Sequence, residues 1–232
     1  RTAKQIAEAI ENRGGDLNGF TDNLLTAYWC KIPGKHLKVA LEVLTDMVKN
    51  SIFDKKELEK ERKVIFEEIK MRKDSPRVYV MDQIHSFLYE KPFGLDLIGT
   101  YKSMNSITRE KILKRFVKVY YPKNMILSVV GDADFSEIIK FAEKNFTKNR
   151  PSLVNLEKNW PGRVKDNKTE IEKSEVIKKN KIKIEKRKGI DQANFVFAHH
   201  VPLSTDKKSY AAYVLNALMA GGMSSRLFSE IR

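Results

Sequence analysis

The spacing of apolar residues divides the first half of the chain into helices and one hairpin. Residues 3–10 are apolar at helical intervals, and Gly14–Gly15 after them provide a left-handed stop, which predicts a helix followed by a tight turn. Residues 16–32 mix aromatic, threonine and short apolar positions without a helical period, so we expect two strands joined around Asp22–Asn23.

The same periodicity predicts further helices over residues 37–48, 54–73, 80–88, 108–120 and 135–146. Asp54 is placed to cap the second of these helices. Between the helices, residues 92–106 form an irregular glycine-rich stretch, and the apolar run Ile126–Val130 predicts a short buried strand.

The sequence of the second half of the chain predicts a linker followed by the start of another domain. Residues 147–181 are rich in lysine, asparagine and glutamate, and have almost no periodicity. Ile182 and Ile184, then Phe195 and Phe197, alternate as in strands, and a helix over 210–219 ends at Ala220–Gly221–Gly222. We therefore expect an α+β fold of two related domains, with sheets covered by helices. The boundaries are 1–150, a linker over 151–181, and an incomplete second domain over 182–232.

Composition narrows the class of protein. The chain is 41% hydrophobic, which suffices for buried cores, and it has no apolar run of the length that a membrane span needs. The single cysteine, Cys30, favours a reducing compartment, so we expect a cytoplasmic protein.

The net charge of +14 is a feature of many proteins that bind nucleic acids. Because the lysines are scattered without arginine and aromatic interleaving, we expect no nucleic-acid partner.

Candidate chemistry lies on the helix over 54–73. With Leu58 at zero on a helical wheel, Glu61 and Glu68 fall beside the apolar stripe, two turns apart, where an inward carboxylate needs a cation or a metal. The alternative is that both only flank the stripe and pair with lysines.

The histidines do not complete a metal site by pattern, since His36 follows a turn, His85 lies within a helix, and His199–His200 are adjacent on a strand. Serine-hydrolase, cysteine–histidine and phosphate-loop motifs are absent from the sequence.

Several motifs in order resemble the insulinase/pitrilysin family of zinc peptidases, of the mitochondrial-processing-peptidase type. The central one is Glu61–Ile69, ERKVIFEEI, which is similar to the second metal-binding segment of these inverted-motif enzymes. The others are IENRGGDLNGFT at Ile10–Thr21, PFGLDLIGT at Pro92–Thr100, YPKNMILSVVG at Tyr121–Gly131 and GGMSSRLF at Gly221–Phe228. The resemblance covers nearly the whole chain apart from the linker.

The resemblance implies zinc-dependent hydrolysis of peptides or unfolded segments. In the family, two histidines of an H-x-x-E-H helix and a later glutamate hold zinc, and the glutamate of that motif activates water. The later glutamate corresponds to Glu68, and Glu61 corresponds to an acidic group that orients a ligand. The H-x-x-E-H helix is expected just upstream of Arg1, so this chain contains no catalytic residue and is inactive alone.

The resemblance also implies a docking edge for an extended peptide at Asn18, Gly19, Phe20 and Thr21, where backbone hydrogen bonds would hold the substrate. From the residues alone, Asn18 and Gly19 could equally well only shape the hairpin. The expected partners are a peptide substrate and either a second copy of the chain or a related subunit.

Two other functions remain open at this stage. One is a non-catalytic family member that acts as a scaffold or substrate-binding partner; it is favoured by Leu24, which replaces a frequent family glutamate, and disfavoured by the presence of both Glu61 and Glu68. The other is a basic nucleic-acid-binding protein, which a steep salt dependence of DNA or RNA binding would support.

The incomplete second domain leads to a prediction about association. Phe195, Phe197, Tyr210, Leu215 and Leu218 should be left partly solvated unless another surface covers them. We expect residues 1–232 in isolation to run as a dimer or larger species in size-exclusion chromatography with light scattering. A monomer without dye-accessible apolar surface would contradict the predicted second domain.

Overall fold

The structure is a computed structural model that describes residues 1–146, 176–177 and 182–231. It divides into two compact units. The first contains residues 1–74 and the described residues from 96 to 146, and the second contains residues 75–95 and the described residues from 176 onward. Mixed helices and a small antiparallel sheet confirm the α+β class.

A hairpin, nine α-helices and two short 3₁₀ helices are present in the described ranges. Strands β1 (Asp16–Thr21) and β2 (Thr26–Lys31) pair antiparallel. The helices are α1 (Ala3–Glu11), α2 (Leu37–Lys49), α3 (Lys55–Asp74), α4 (Pro76–Leu88), α5 (Tyr101–Ser106), α6 (Arg109–Val119), α7 (Phe135–Phe146), α8 (Ser209–Ala220) and α9 (Arg226–Ile231). The predicted helices and the hairpin are confirmed, whereas α5 lies within the stretch that was expected to be irregular.

The predicted strands outside the hairpin are wrong. Ile126–Val130 is neither a strand nor buried, and Ile126 and Val130 are almost fully exposed. Ile182, Ile184, Phe195 and Phe197 are likewise exposed and lie in no strand. The apolar alternation of such segments only becomes a strand when another segment provides backbone hydrogen bonds, and a local pattern does not show where that partner is. The predicted linker, 151–181, lies outside the described residues except for 176–177.

The turn between α1 and β1 explains the glycine pair. Gly14 adopts a φ of 68°, and the Gly15 N–H donates to the carbonyl of Ile10 at 3.1 Å, which closes the helix end. A Cβ at Gly15 would lie 2.8 Å from the Ile10 side chain and 3.0 Å from that of Ile32. Only glycine therefore lets β1 start close to the buried end of α1.

The core of the first unit has two parts. Ile10 of α1 packs with α2, where Ala40, Leu41 and Val43 are buried, and both helices contact the hairpin. The second part belongs to α6, whose buried residues are Leu113, Phe116 and Val117. These apolar positions follow the helical spacing of the sequence, so burial of their side chains is the main stabilising contribution to this unit.

Helix α3 is different, because none of its side chains is buried. Its Asp54 cap forms as expected, with Oδ1 accepting from the N–H groups of Lys56 and Glu57 at 2.8 and 3.1 Å. Arg62 of α3 donates to the carbonyl of Met104 and, at 2.8 Å, to that of Ile107, just before α6. Arg62 thereby ties the middle of α3 to the junction of α5 and α6.

Arg109, the first residue of α6, makes the converse contact. Its guanidinium donates to the carbonyls of Phe53 at 2.9 Å and Ile52 at 3.0 Å, just before α3. Each helix therefore holds the carbonyl groups of the segment that leads into the other helix. We call Arg62 and Arg109 the arginine clamp.

In the second unit, segment 182–187 contacts α4 through its polar side chains. Tyr79 donates its hydroxyl to Glu185 at 2.9 Å, and the Arg187 guanidinium stacks over the Tyr79 ring at 4.4 Å. Lys183 donates to Gln83 at 2.9 Å. The apolar residues expected to be left solvated are exposed, namely Phe195, Phe197, Tyr210, Leu215 and Leu218. Among the helices of the described residues, none has the length and apolarity needed to cross a bilayer.

The arginine clamp predicts a stability change. Arg62→Met keeps a long apolar side chain but removes the donors to Met104 and Ile107, so the free energy of unfolding should fall by about 2–3 kcal/mol, the usual range for hydrogen bonds from a charged group. Urea unfolding followed by circular dichroism measures it. The matched control is Lys63→Met at an exposed neighbouring position. Equal shifts for the two variants would show that the clamp does not stabilise the unit.

Candidate functional site

The two candidate carboxylates lie on the open side of α3. Glu61 and Glu68 are both exposed, so neither carboxylate points into the packed face. The half-buried positions of this helix are Leu58, Arg62, Ile65, Phe66, Ile69 and Arg72.

The helical wheel gives the reason. With Leu58 at zero, Arg62 and Phe66 lie at about 40° and 80°, whereas the apolar residue Val64 lies near 240°. Val64 is 50% exposed, and Arg62 and Phe66 complete the packed face instead. The packed face is therefore rotated away from both glutamates.

The neighbouring acidic residues of α3 form ion pairs. Glu57 pairs with Lys60 at 2.7 Å, and Glu59 pairs with Arg62 at 3.2 Å. Among the described residues, neither Glu61 nor Glu68 has a hydrogen bond or an ion pair, so the alternative of lysine pairing is not seen. Two carboxylates two turns apart on one side of a helix thus remain available to a ligand.

Of the two glutamates, Glu68 is the expected zinc ligand, and it can fill one position of a zinc site. The Glu68 carboxylate is exposed, and a carboxylate oxygen is an accepted zinc ligand. The described part of the chain contains no group of three histidine, cysteine or acidic side chains that could hold a metal. His200, for example, has Nε2 3.0 Å from the carbonyl of Leu88 and its ring edge-on to Tyr89. Glu68 therefore fits as one ligand and needs others from elsewhere.

The hairpin offers an open backbone edge. Asp22 donates its N–H to the carbonyl of Leu25 at 2.8 Å, so this pair, next to the strands, is a hydrogen-bonded one. Because such pairs alternate along an antiparallel ladder, Leu17, Gly19 and Thr21 occupy the non-hydrogen-bonded positions. Their N–H and carbonyl groups point away from β2, where a further extended chain could pair with them.

Two of the edge positions show local contacts consistent with this alternation. The Gly19 N–H donates to Oδ1 of Asn18 at 2.8 Å and not to β2. The hydroxyls of Thr21 and Thr26 are 3.2 Å apart, as expected for a non-hydrogen-bonded pair, whose side chains are closer. Phe20, the other residue of the candidate docking edge, is 55% exposed.

A tyrosine pair connects the hairpin to α6. The hydroxyls of Tyr28 on β2 and Tyr120 are 2.8 Å apart, and the Tyr120 ring stacks on Phe116 with centroids 4.6 Å apart. Burial first, then the hydrogen bond and the charge of Tyr28, raise the pKa of Tyr120 well above its usual value. The Tyr120 phenol therefore stays neutral throughout the neutral pH range.

The surroundings of Cys30 weaken it as a nucleophile. Burial, with a smaller contribution from the nearby Asp16 carboxylate, raises the pKa of the Cys30 thiol. A raised pKa lowers the thiolate fraction at neutral pH, and the thiolate is the reactive form.

Sequence reasoning missed Arg62 and Tyr120. Arg62 had a usable signal, because it lies four residues after Leu58 and three before Ile65, at the spacing of the packed stripe. Tyr120 had no such signal in the sequence, since its partner Tyr28 is 92 residues away.

Relatives of the chain point to one family of enzymes. A protein of Rickettsia felis named as an uncharacterized zinc protease is 31% identical over the full chain, which covers 53% of that relative. A probable mitochondrial-processing peptidase subunit beta of Arabidopsis thaliana is 31% identical over 64% of the chain, covering 28% of the relative. The chain thus spans about half the length, or less, of these curated relatives.

The fold has a counterpart among solved structures. The crystal structure of a protease from Helicobacter pylori superposes with a TM-score of 0.77 and 22% identity, over 99% of this chain and 54% of that one. At this identity the likeness concerns the fold alone.

Two family models match the sequence, "Insulinase (Peptidase family M16)" over residues 1–101 and "Peptidase M16 inactive domain" over residues 106–232. Since together they account for nearly all of its residues, the chain belongs to the insulinase family of peptidases, family M16.

Proposed function

We propose that the whole protein is a zinc-dependent endopeptidase acting on peptides or unfolded segments, to which this chain contributes one zinc ligand and a docking edge. The observation that carries the proposal is Glu68, an exposed carboxylate without a partner among the described residues, on a helix of an insulinase-family chain. The zinc-protease name of the Rickettsia felis relative supports the same class of activity.

Glu68 is the residue of this chain that would hold the metal. A zinc ion in such a site supplies Lewis-acid activation of the scissile carbonyl and of water. The histidine ligands and the general base are proposed to come from parts of the whole protein outside residues 1–232. Glu61, two turns away on the same side of α3, would orient a ligand by hydrogen bonding.

The peptide is proposed to add as an extended strand to the outer edge of β1, at Asn18, Gly19, Phe20 and Thr21. The outward backbone groups of Gly19 and Thr21 support this role, since pairing through the main chain selects an extended conformation and tolerates many side chains. Such recognition suits unfolded polypeptides better than folded ones.

We further propose the organisation and setting of the whole protein. Residues 1–150 would form a peptidase-like domain, 151–181 a charged linker and 182–232 the start of a second domain. A cytoplasmic location is supported by the single cysteine. Assembly with a second copy or a related subunit is supported by the exposed apolar residues of the second unit and by the Arabidopsis thaliana relative, which is named as a subunit.

A non-catalytic role is the second candidate. It is favoured by the description of the model that matches residues 106–232 as an inactive domain, and by Leu24, which is exposed at the hairpin tip. The two functions differ in metal content, because a scaffold subunit has no need of bound zinc.

The roles of the two glutamates predict unequal effects of substitution. In the whole protein, Glu68→Gln should reduce zinc occupancy and peptidase activity severely, because a neutral amide replaces an anionic ligand. Glu61→Gln should have a milder effect, about 10–100-fold on activity or zinc affinity, as is usual for a residue that orients a ligand. Zinc content by mass spectrometry and peptide hydrolysis test both. Glu67→Gln, at an exposed position on another face of α3, is the control. Equal or reversed effects of the first two changes would refute the assignment.

Residues 1–232 alone should neither retain zinc nor hydrolyse peptides, since one carboxylate is a poor site for a metal that prefers nitrogen and sulfur ligands. Metal analysis after dialysis is the measurement. One zinc per chain would contradict the proposed division of the ligands between this chain and other residues.

A further inference from the structure

The peptide edge of β1 has an unusual member in Gly19. Tyr28 lies directly opposite Gly19 in the ladder. A Cβ at Gly19 would lie 3.0 Å from the carbonyl oxygen of Ala27, 3.3 Å from Cδ1 of Tyr28 and 3.8 Å from Cε1, so the backbone of β2 and the tyrosine ring together occupy the place where a side chain would project. An aromatic ring that packs across a glycine compensates for the contacts and the rigidity that the missing side chain would give to the strand.

The Tyr28 ring is itself held at its far end. Its hydroxyl is 2.8 Å from that of Tyr120, whose ring stacks on Phe116. Phe116 is only 4% exposed and meets Phe53 edge-on at a centroid distance of 5.1 Å. The contact series therefore runs from the glycine in the edge strand to the apolar core around α6.

We propose that Tyr28 and Tyr120 are positioning residues for peptide binding, which hold the backbone of β1 at Gly19 in the geometry that an incoming strand requires. This inference rests on the proposed docking role of β1. Neither tyrosine touches the reacting groups in this scheme. Tyr120 acts through Tyr28, and Tyr28 acts through its contact with Gly19.

The hydroxyl pair also persists over the working pH range. Because burial raises the pKa of Tyr120, its phenol keeps its proton at neutral and mildly alkaline pH. Tyr120 therefore remains able to hydrogen-bond with the Tyr28 hydroxyl over this range.

The test removes single hydroxyl groups in the whole protein. Tyr120→Phe keeps the stack on Phe116, and Tyr28→Phe keeps the ring over Gly19, so each variant removes one hydrogen-bonding partner only. The probe is fluorescein-labelled, reduced and carboxymethylated α-lactalbumin, a permanently unfolded polypeptide. Its dissociation constant is measured by fluorescence anisotropy on metal-stripped protein, and KM and kcat are measured on metal-loaded protein.

Each variant should raise the dissociation constant and KM by about 2- to 10-fold, the factor that corresponds to one hydrogen bond, with kcat unchanged. The double variant should be no worse than either single one, because both changes break the same contact. Ser128→Ala, which removes an exposed hydroxyl elsewhere in the first unit, is the control and should leave both constants unchanged.

Hydrogen exchange of residues 16–21 tests directly whether the two tyrosines hold the backbone of β1. The tyrosine variants should exchange faster than wild type in β1 and equally elsewhere in the first unit. Wild-type binding of the probe together with unchanged variants, or a loss confined to kcat, would overturn the positioning role alone. A wild-type protein that neither binds nor cleaves the probe would overturn the proposed function and, with it, any docking role of the pair.

Discussion

The position of α3 depends on guanidinium–carbonyl contacts more than on apolar burial. No side chain of this 20-residue helix is buried, yet the Arg62 side chain is only 12% exposed because it reaches the carbonyls before α6. Arg109 makes the converse contact before α3. A guanidinium in this setting has several donors in a fixed plane, so it defines both the rotation and the axial position of the helix. The direction in which Glu61 and Glu68 project follows from that geometry.

The hairpin is held in place by a different set of contacts. Its strands are short and mostly exposed, and a lone two-stranded sheet has little stability of its own. It is held at one end by the glycine turn that leads from α1, with Gly15 beside Ile10, and at its middle by the Tyr28 contact with Tyr120. The first unit thus presents a carboxylate-bearing helix and an open strand edge, each fixed by a few polar contacts to an apolar core.

These contacts also explain what the sequence could predict. Periodicity and caps located α1, α2, α3, α6 and α7, because those signals are local and each helix satisfies most of its own hydrogen bonds. The strand expected at Ile126–Val130 failed, since a strand needs a partner that no local pattern identifies. The rotation of α3 could not be predicted from apolar positions alone, because Arg62 joins the packed face through hydrogen bonds to carbonyls that are distant in sequence. The identity of Glu68 as a candidate came from the resemblance of ERKVIFEEI to a known motif and not from its orientation.

The short contact between Asn18 and Gly19 has a bearing on solubility. An unpaired strand edge is a template on which other copies of a protein can stack through their backbones. Of the three outward N–H groups on β1, that of Gly19 is already satisfied by Oδ1 of Asn18 at 2.8 Å. A rival strand must break this bond before it can pair at the centre of the edge. The Asn18 side chain therefore competes with an incoming strand for the Gly19 N–H. This competition disfavours non-specific strand pairing, and a chain that makes enough other contacts can still displace the side chain.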